Sequence, residues 1–169
     1  EGAEFRMLLD NPQIVVVASG EVPAAVTGLR RDHEEATLLG DLIEADEGKG
    51  MRVSLRHVEI VQRAAETMGF AHARGLVHRD LKPHNIMLDA NDGVHLMDFG
   101  IAMSSEVQGF TRTGALIGTP DYMSPEQAAG RKVDHRSDIY SLGVTIYEIL
   151  TGDAPFSGGT PWEVIKKQI

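Results

Sequence analysis

A polar run in the middle of the chain constrains the fold more than any other feature. Its sequence is His78-Arg79-Asp80-Leu81-Lys82-Pro83-His84-Asn85, and the motif Asp98-Phe99-Gly100 begins thirteen residues after Asn85. Between the two motifs, the apolar runs 86–88 and 94–97 flank a segment rich in Asp, Asn and Gly. This order predicts a β-hairpin. The hairpin would place the side chains of Asn85 and Asp98 at the same end of two paired strands, where both face one site.

The side chains of these motifs suit phosphoryl transfer. That reaction needs a carboxylate to orient the attacking hydroxyl, and oxygen donors that hold Mg²⁺ against the phosphates. The pattern H-R-D-L-x-x-x-N followed by D-F-G resembles the protein-kinase signature, in particular that of bacterial Ser/Thr kinases of the eukaryotic-like type. Two later motifs follow in the order typical of that family: Gly118-Thr119-Pro120-Asp121-Tyr122-Met123-Ser124-Pro125-Glu126 and Asp138-Ile139-Tyr140-Ser141-Leu142-Gly143. The resemblance is continuous from about Ser54 to Ile169 and patchy before Ser54.

The resemblance implies a role for each polar residue of the first two motifs. Asp80 would accept or orient the proton of the substrate hydroxyl, and Lys82 would contact the transferred phosphate as it does in Ser/Thr kinases. Asn85 and Asp98 would bind the Mg²⁺ that accompanies ATP, or Mn²⁺ in its place. We therefore expect Asp80, Lys82 and Asn85 to be catalytic. Lys82, Asn85 and Asp98 would contact the nucleotide and its metal.

Arg79 beside the predicted base implies control by phosphorylation. In the family, an Arg at this position marks kinases that are switched on when the activation loop is phosphorylated. That loop would span residues 101–117, and it contains Thr111 and Thr113. A phosphate on either threonine could pair with Arg79 and order the loop.

Five further residues have scaffold roles by resemblance. His78 and Phe99 would pack beneath the site, and Thr119 would contact the catalytic Asp. The carboxylate of Asp138 would accept hydrogen bonds from the backbone of the catalytic loop. Glu126 would normally pair with an Arg in a later helix that this chain does not contain, so we expect a carboxylate without a partner, which is costly when buried.

The resemblance implies an α+β, protein-kinase-like fold that is mostly the helical C-lobe, with a remnant of the N-lobe. Residues 1–53 would form a partial N-lobe and hinge region, and residues 54–169 the C-lobe, truncated in a helix that starts near residue 161. The chain contains no glycine-rich loop and no V-A-I-K lysine, both of which kinases use to position ATP. We therefore expect a fragment that is weak or inactive by itself.

The spacing of apolar residues predicts three helices in residues 54–169. The first would have Ser54 as its N-cap and would stop at Gly75. Its core face would consist of apolar residues at helical spacing: Leu55, Val58, Val61, Ala65 and Met68. The second would span residues 137–151 and stop at Gly152. The third would follow Thr160, since Thr160, Pro161 and Glu163 form a capping box with proline at the first helical position.

Residues 1–53 have weaker patterns. They predict a helix over residues 1–9, ended by Asn11-Pro12, and a buried strand over residues 14–18. The family would place an apolar strand and the ATP hinge near residues 28–36. The charged run 30–35 occupies this region instead, so no adenine-pocket residues are predicted.

Composition excludes several classes of function. The formal net charge is −9 with a pI near 5.2, and no cluster of Lys and Arg is present to bind nucleic acid or an anionic membrane. The absence of cysteine excludes disulfides and thiolate metal sites and fits the cytoplasm. Kinases of this type often carry a membrane span beyond the catalytic domain, which would lie outside this chain. The expected partners are ATP and a protein substrate with Ser or Thr, in bacterial signalling.

Two other interpretations stay open. The chain could be a pseudokinase-like binding or scaffold module that does not transfer phosphate, or an unrelated soluble α+β domain. The presence of Asp80, Asn85 and Asp98 together favours an active kinase, because a module freed from catalysis has no chemical reason to keep all three.

Overall fold

The computed structural model describes residues 37–46, 54–89, 91, 93–99 and 119–169, with the side chains of 44–46 left out. The helix predicted over residues 1–9, the strand over 14–18 and the hinge region near 28–36 lie outside the described residues. So do Thr111 and Thr113.

The described residues form helices around a small antiparallel sheet, as expected for an α+β fold. In chain order, the elements are β1 (Thr37–Leu38), α1 (Leu39–Asp46), α2 (Leu55–His72), β2 (Ile86–Leu88), β3 (Val94–Leu96), α3 (Pro125–Ala128), α4 (His135–Thr151) and α5 (Pro161–Gln168). Short 3₁₀ turns precede β2 at Pro83–Asn85 and α3 at Pro120–Tyr122.

The predicted hairpin is present. Strand β2 pairs with β3 in antiparallel register, with Ile86 opposite Leu96 and Leu88 opposite Val94, and all four of these side chains are buried. The turn between the strands is held by Asp89, whose Oδ1 accepts hydrogen bonds from the backbone N–H groups of Asn91 and Gly93, both at 2.8 Å. Strand β1 adds to the other edge of β2. It has only two residues, too few for an alternating pattern in the sequence.

Helix α2 is also present, and its predicted core face is correct at Met68 and Val61 but wrong at Leu55, Val58 and Ala65. Ser54 is the N-cap, the helix ends at His72, and Gly75 follows in the left-handed region with φ of 76°. Leu55 is 82% exposed and Val58 53% exposed. The buried residues lie on the neighbouring face: His57, Ile60, Ala64, Thr67, Met68 and Ala71. Apolar residues occupy two faces of this helix, and packing against β3 and α4 determines which one forms the core.

Helices α4 and α5 follow the predicted pattern closely. Helix α4 begins two residues earlier than predicted, after the N-cap Asp134, and ends at Gly152 with φ of 90°. Its buried face is partly polar, with Ser137, Asp138, Ser141 and Thr145 among its buried residues. Helix α5 begins at Pro161 with the predicted capping box between Thr160 and Glu163. These buried polar side chains need partners, and two of the partners of Asp138 are the backbone N–H groups of His78 and Arg79.

Among the described helices, none combines the length and the apolar composition that a membrane span requires.

Candidate active site

Asp138 of α4 holds the backbone of the loop that contains the predicted base. Its Oδ2 accepts a hydrogen bond from the N–H of His78 and its Oδ1 accepts one from the N–H of Arg79, both at 2.8 Å. The ring Nε2 of His72 lies 2.7 Å from the same Oδ2. The side chain of Asp138 is only 1% exposed, so these three partners replace the water that the carboxylate lost on folding. The contact expected between Asp138 and the loop is therefore present.

His78 connects this loop to the end of the hairpin. Its ring is buried, and it lies 2.8 Å from the carbonyl oxygen of Met97 through Nε2 and 4.5 Å from the ring of Phe99 between centroids. Burial lowers the pKa of His78 below its usual value, so the ring is neutral at pH 7. Nδ1 accepts from the backbone N–H of Asp80 at 3.3 Å, so Nε2 carries the proton and donates to Met97. His78 and Phe99 thus lie beneath the site, as expected.

The carboxylate of Asp80 is oriented by two neighbours. Asn85 donates from Nδ2 to the Asp80 carbonyl oxygen at 2.7 Å and to Oδ2 at 3.1 Å. The ammonium of Lys82 also lies 3.1 Å from Oδ2. One third of the Asp80 side chain remains exposed, so a substrate hydroxyl can reach it. Carboxylate and ammonium therefore lie side by side at the surface of the site.

Lys82 contacts Thr119 as well as Asp80. Its Nζ donates to the Thr119 hydroxyl at 3.1 Å. The sequence led us to expect direct contact between Thr119 and Asp80. Within the described residues, Thr119 reaches Asp80 through Lys82 instead, because an ammonium has three donors and can bridge two acceptors.

Asn85 and Asp98 lie at the same end of the hairpin. The N–H of Met97 donates to the Asn85 carbonyl at 2.9 Å, which extends the β2–β3 ladder by one residue, and Asp98 follows directly. Asp98 is exposed and has a φ of 55°, a left-handed conformation that Asp and Asn adopt more readily than other non-glycine residues. Its carboxylate makes no hydrogen bond within the described residues.

These two residues fit Mg²⁺ that arrives with phosphate. Nowhere in the described ranges do three His, Cys, Asp or Glu side chains cluster as a metal site. Mg²⁺ does not require such a cage, because it is usually bound by one or two carboxylates, phosphate oxygens and water. The Nδ2 of Asn85 is committed to Asp80, which leaves its amide oxygen as the atom for a metal.

Helix α3 contributes a contact that was not predicted. Nε2 of Gln127 donates to the carbonyl oxygen of Arg79 at 2.7 Å. The spacing of Ser124 and Gln127 predicts a capping box. No sequence pattern predicts the hydrogen bond from Gln127 to Arg79, which lies 48 residues away.

Glu126 differs from the expectation of a carboxylate without a partner. Its carboxylate accepts a hydrogen bond from the hydroxyl of Ser137 on α4. Burial by itself would raise the pKa of Glu126, but hydrogen bonds, chiefly from Ser137, outweigh it and the pKa is lowered. The side chain is only half-buried, so a hydroxyl is a sufficient partner.

A cleft of about 470 Å³ opens beside Lys82 and Thr119 and continues along α4. Tyr122 and Glu148 line it and are hydrogen-bonded to each other at 2.8 Å. Burial raises the pKa of the Tyr122 hydroxyl, and the hydrogen bond to Glu148 raises it further. Asp121 and Asp153 also line the cleft, so it has three carboxylates together with Glu148. No local sequence pattern predicts that Tyr122 and Glu148 would meet.

Comparisons with known proteins identify relatives along most of the chain. The protein kinase domain family matches residues 32–169. The chain is 40% identical to the serine/threonine-protein kinase PknB of Mycobacterium tuberculosis over 99% of its length, and 41% identical to PknB of Mycolicibacterium smegmatis over the same share. It is 44% identical over 66% of its length to a chain named probable serine/threonine-protein kinase in Clostridium acetobutylicum. The chain spans 27% of the length of the two PknB relatives and 17% of the clostridial one.

Proposed function

The chain belongs to the protein kinase family, and from this premise we propose that it forms part of an enzyme that transfers the γ-phosphoryl group of ATP to Ser or Thr hydroxyls of proteins. One observation carries the proposal: the Asp80 carboxylate is oriented by Asn85 and Lys82 on a loop whose backbone is bound to buried Asp138. A structural aspartate in a turn does not need this arrangement. A base that must meet a hydroxyl in one geometry does.

Asp80 is the residue that orients the substrate hydroxyl and accepts its proton. The carboxylate presents Oδ2 to Asn85 and Lys82, which leaves Oδ1 for the hydroxyl. Lys82 lies beside it and stabilises negative charge on the transferred phosphoryl oxygens. Thr119 holds Lys82 in this position from the other side.

Asn85 and Asp98 hold the divalent metal of the nucleotide. Mg²⁺, or Mn²⁺ in its place, bridges phosphate oxygens and neutralises their charge in phosphoryl transfer. Asn85 contributes its amide oxygen, because its Nδ2 is bonded to Asp80. Asp98 contributes a carboxylate that is exposed. Asn85 thus couples the two parts of the site, since one amide orients the base and binds the metal.

The protein substrate would lie along the cleft that begins at Lys82. Tyr122 and Glu148 line the cleft together with Lys82, which lies beside Asp80, so a chain whose hydroxyl meets Asp80 would continue into it. Phosphate on Thr111 or Thr113 would act through Arg79, which is adjacent to the base. The enzyme would work in the cytoplasm, which the absence of cysteine fits.

The test is phosphate transfer from radiolabelled ATP to a general Ser/Thr substrate, by the full polypeptide encoded in frame with this chain. We expect Asp80→Asn to lower kcat by about 10² to 10⁴, the usual contribution of a positioned base. Asp41→Asn is the matched control, since Asp41 is an exposed carboxylate on α1, and it should leave kcat unchanged. Nucleotide binding without any transfer, or full activity in Asp80→Asn, would contradict the proposal and favour a binding module.

A further inference from the structure

The side chain of Gln127 makes two hydrogen bonds with different consequences. Its Oε1 accepts from the backbone N–H of Ser124 at 3.1 Å, while Ser124 Oγ accepts from the N–H of Gln127 at 3.3 Å. These bonds form the capping box of α3. Its Nε2 donates to the carbonyl of Arg79 at 2.7 Å. Gln127 is 7% exposed and Ser124 fully buried, so water does not compete for these groups.

Capping alone does not require glutamine at this position. In a capping box the third residue accepts a hydrogen bond from the N-cap, and either Glu or Gln can do so. Helix α5 of the same chain uses Glu163, whose Oε2 accepts from the N–H of Thr160 at 2.6 Å. Glutamate at position 127 could cap α3 in the same way, but its carboxylate could not donate to Arg79. The amide is needed only for the second bond.

The carbonyl that Gln127 binds belongs to the peptide group joining Arg79 to Asp80. A peptide group is planar, so fixing its oxygen also fixes the N–H and the Cα of Asp80. Arg79 has a φ of 69°, in the left-handed region that is unfavourable for a non-glycine residue. Its N–H is bound to Asp138 of α4 and its carbonyl to Gln127 of α3. Two helices thus hold the residue before the base from opposite ends.

We infer that Gln127 is a positioning residue for Asp80, acting through the Arg79–Asp80 peptide group. The inference rests on the proposed function of Asp80 as the base. Helix α3 directly follows the segment that carries Thr119, and Thr119 binds Lys82 beside the base. Gln127 and Thr119 are therefore two links between the 119–128 segment and Asp80, one through the backbone and one through a side chain. A shift of this segment would change the orientation of the base.

The deciding experiment is a double-mutant cycle with Asp80. Gln127→Glu keeps the shape and the cap of α3 but removes the donor to Arg79. In the full polypeptide encoded in frame with this chain, it should lower kcat about tenfold or more and leave the KM values for ATP and protein substrate within about twofold. In the Asp80→Asn background, the same change should alter the residual kcat less than about twofold, because the base it positions is gone.

Two further variants make the result specific. Gln127→Met removes both the donor to Arg79 and the capping acceptor of α3 without adding charge, and should show the same loss and the same coupling to Asp80. Glu163→Gln exchanges the same two residue types in the exposed capping box of α5 and should leave kcat unchanged. Equal losses in both Asp80 backgrounds, an unchanged kcat, or failure of both Gln127 variants to fold would each overturn the inference. If the parent protein transfers no phosphate, or Asp80→Asn is fully active, the proposed function fails first and the inference falls with it.

Discussion

The two aspartates of the proposed site are held in different ways. Asp80 has its carboxylate bound by Asn85 and Lys82 and its backbone N–H bound by His78. Asp98 is exposed, and its carboxylate has no hydrogen bond within the described residues. The difference matches their proposed tasks. A base must be oriented before the substrate arrives, whereas a metal ligand must keep its lone pairs available for the ion.

His78, like Asn85, connects the two halves of the site: the base half, with Asp80 and Lys82, and the metal half, with Asp98. It lies in the loop with Asp80, and its ring binds the residue before Asp98 and packs on the residue after it. The backbone position of Asp98 is therefore fixed by the same histidine that receives the Asp80 N–H. The backbone of both aspartates is therefore held by hydrogen bonds and packing, but only the carboxylate of Asp80 is also oriented by them. The following predictions test that contrast.

The largest effect is expected from Asp138, the anchor of the base half. Asp138→Ala leaves two buried backbone N–H groups, those of His78 and Arg79, without acceptors. We expect the free energy of unfolding to fall by about 3–5 kcal/mol, the usual cost of breaking a buried charged network. Urea denaturation would measure it. Asp153→Ala is the control, because Asp153 is exposed on the loop after α4; a similar loss in both variants would show that Asp138 is no anchor.

A substitution of Asp98 in the metal half should have the opposite effect: the catalytic rate should fall while the free energy of unfolding is retained. Asp98→Asn keeps a residue that tolerates the left-handed backbone but removes the negative charge. We expect kcat to fall by about 10² to 10³, with the free energy of unfolding changed by less than about 0.5 kcal/mol. Raising Mg²⁺ or Mn²⁺ should recover part of the rate. A large loss of stability would show that Asp98 is as tightly integrated as Asp80.

Lys82 should have a smaller effect, confined to catalysis. Lys82→Met keeps the aliphatic stem and removes the ammonium that bridges Asp80 and Thr119. We expect kcat to fall by about tenfold to a hundredfold, with little change in stability because the ion pair is partly exposed. Thr119→Val should lower kcat only several-fold, since it loosens Lys82 without removing it. The reverse order of the two variants would assign the orienting role to Thr119.

The sequence predicted the local parts of this site and missed the long-range ones. Asn85, Asp98 and the strands between them are close in sequence, so the turn signal at Asp89–Gly93 is enough to predict their pairing. The partners of Gln127 and His72 lie 48 and 66 residues away, and no local pattern specifies them. The errors on α2 have the same origin, because Leu55 and Val58 have the spacing of a core face but are exposed, and packing buries a neighbouring face of the helix. The resemblance to kinases supplied the Asp138 contact, which spacing alone would not have given.

Asp89, at the opposite end of the hairpin from Asp98, should have the smallest effect and one that depends on pH. The hydrogen bond from His95, aided by the N–H groups of Gly93 and Asn91, lowers the pKa of Asp89 from 3.8 to about 2. A lowered pKa means that the ionised carboxylate stabilises the fold above about pH 4, and that this contribution is lost as the pH falls toward 2. Because the side chain is partly exposed, we expect Asp89→Asn to cost only about 1 kcal/mol at pH 7. Urea denaturation at about pH 7 and about pH 3 should show the difference in the free energy of unfolding between Asp89→Asn and the parent protein shrinking at the lower pH.

The control variant Asp153→Asn should show no such trend. The kcat of Asp89→Asn at pH 7 should be unchanged, since this carboxylate holds a turn and neither orients a substrate nor binds a metal. A loss of kcat as large as that of Asp98→Asn would mean that the turn of the hairpin, and not only its open end, sets the geometry of the metal half.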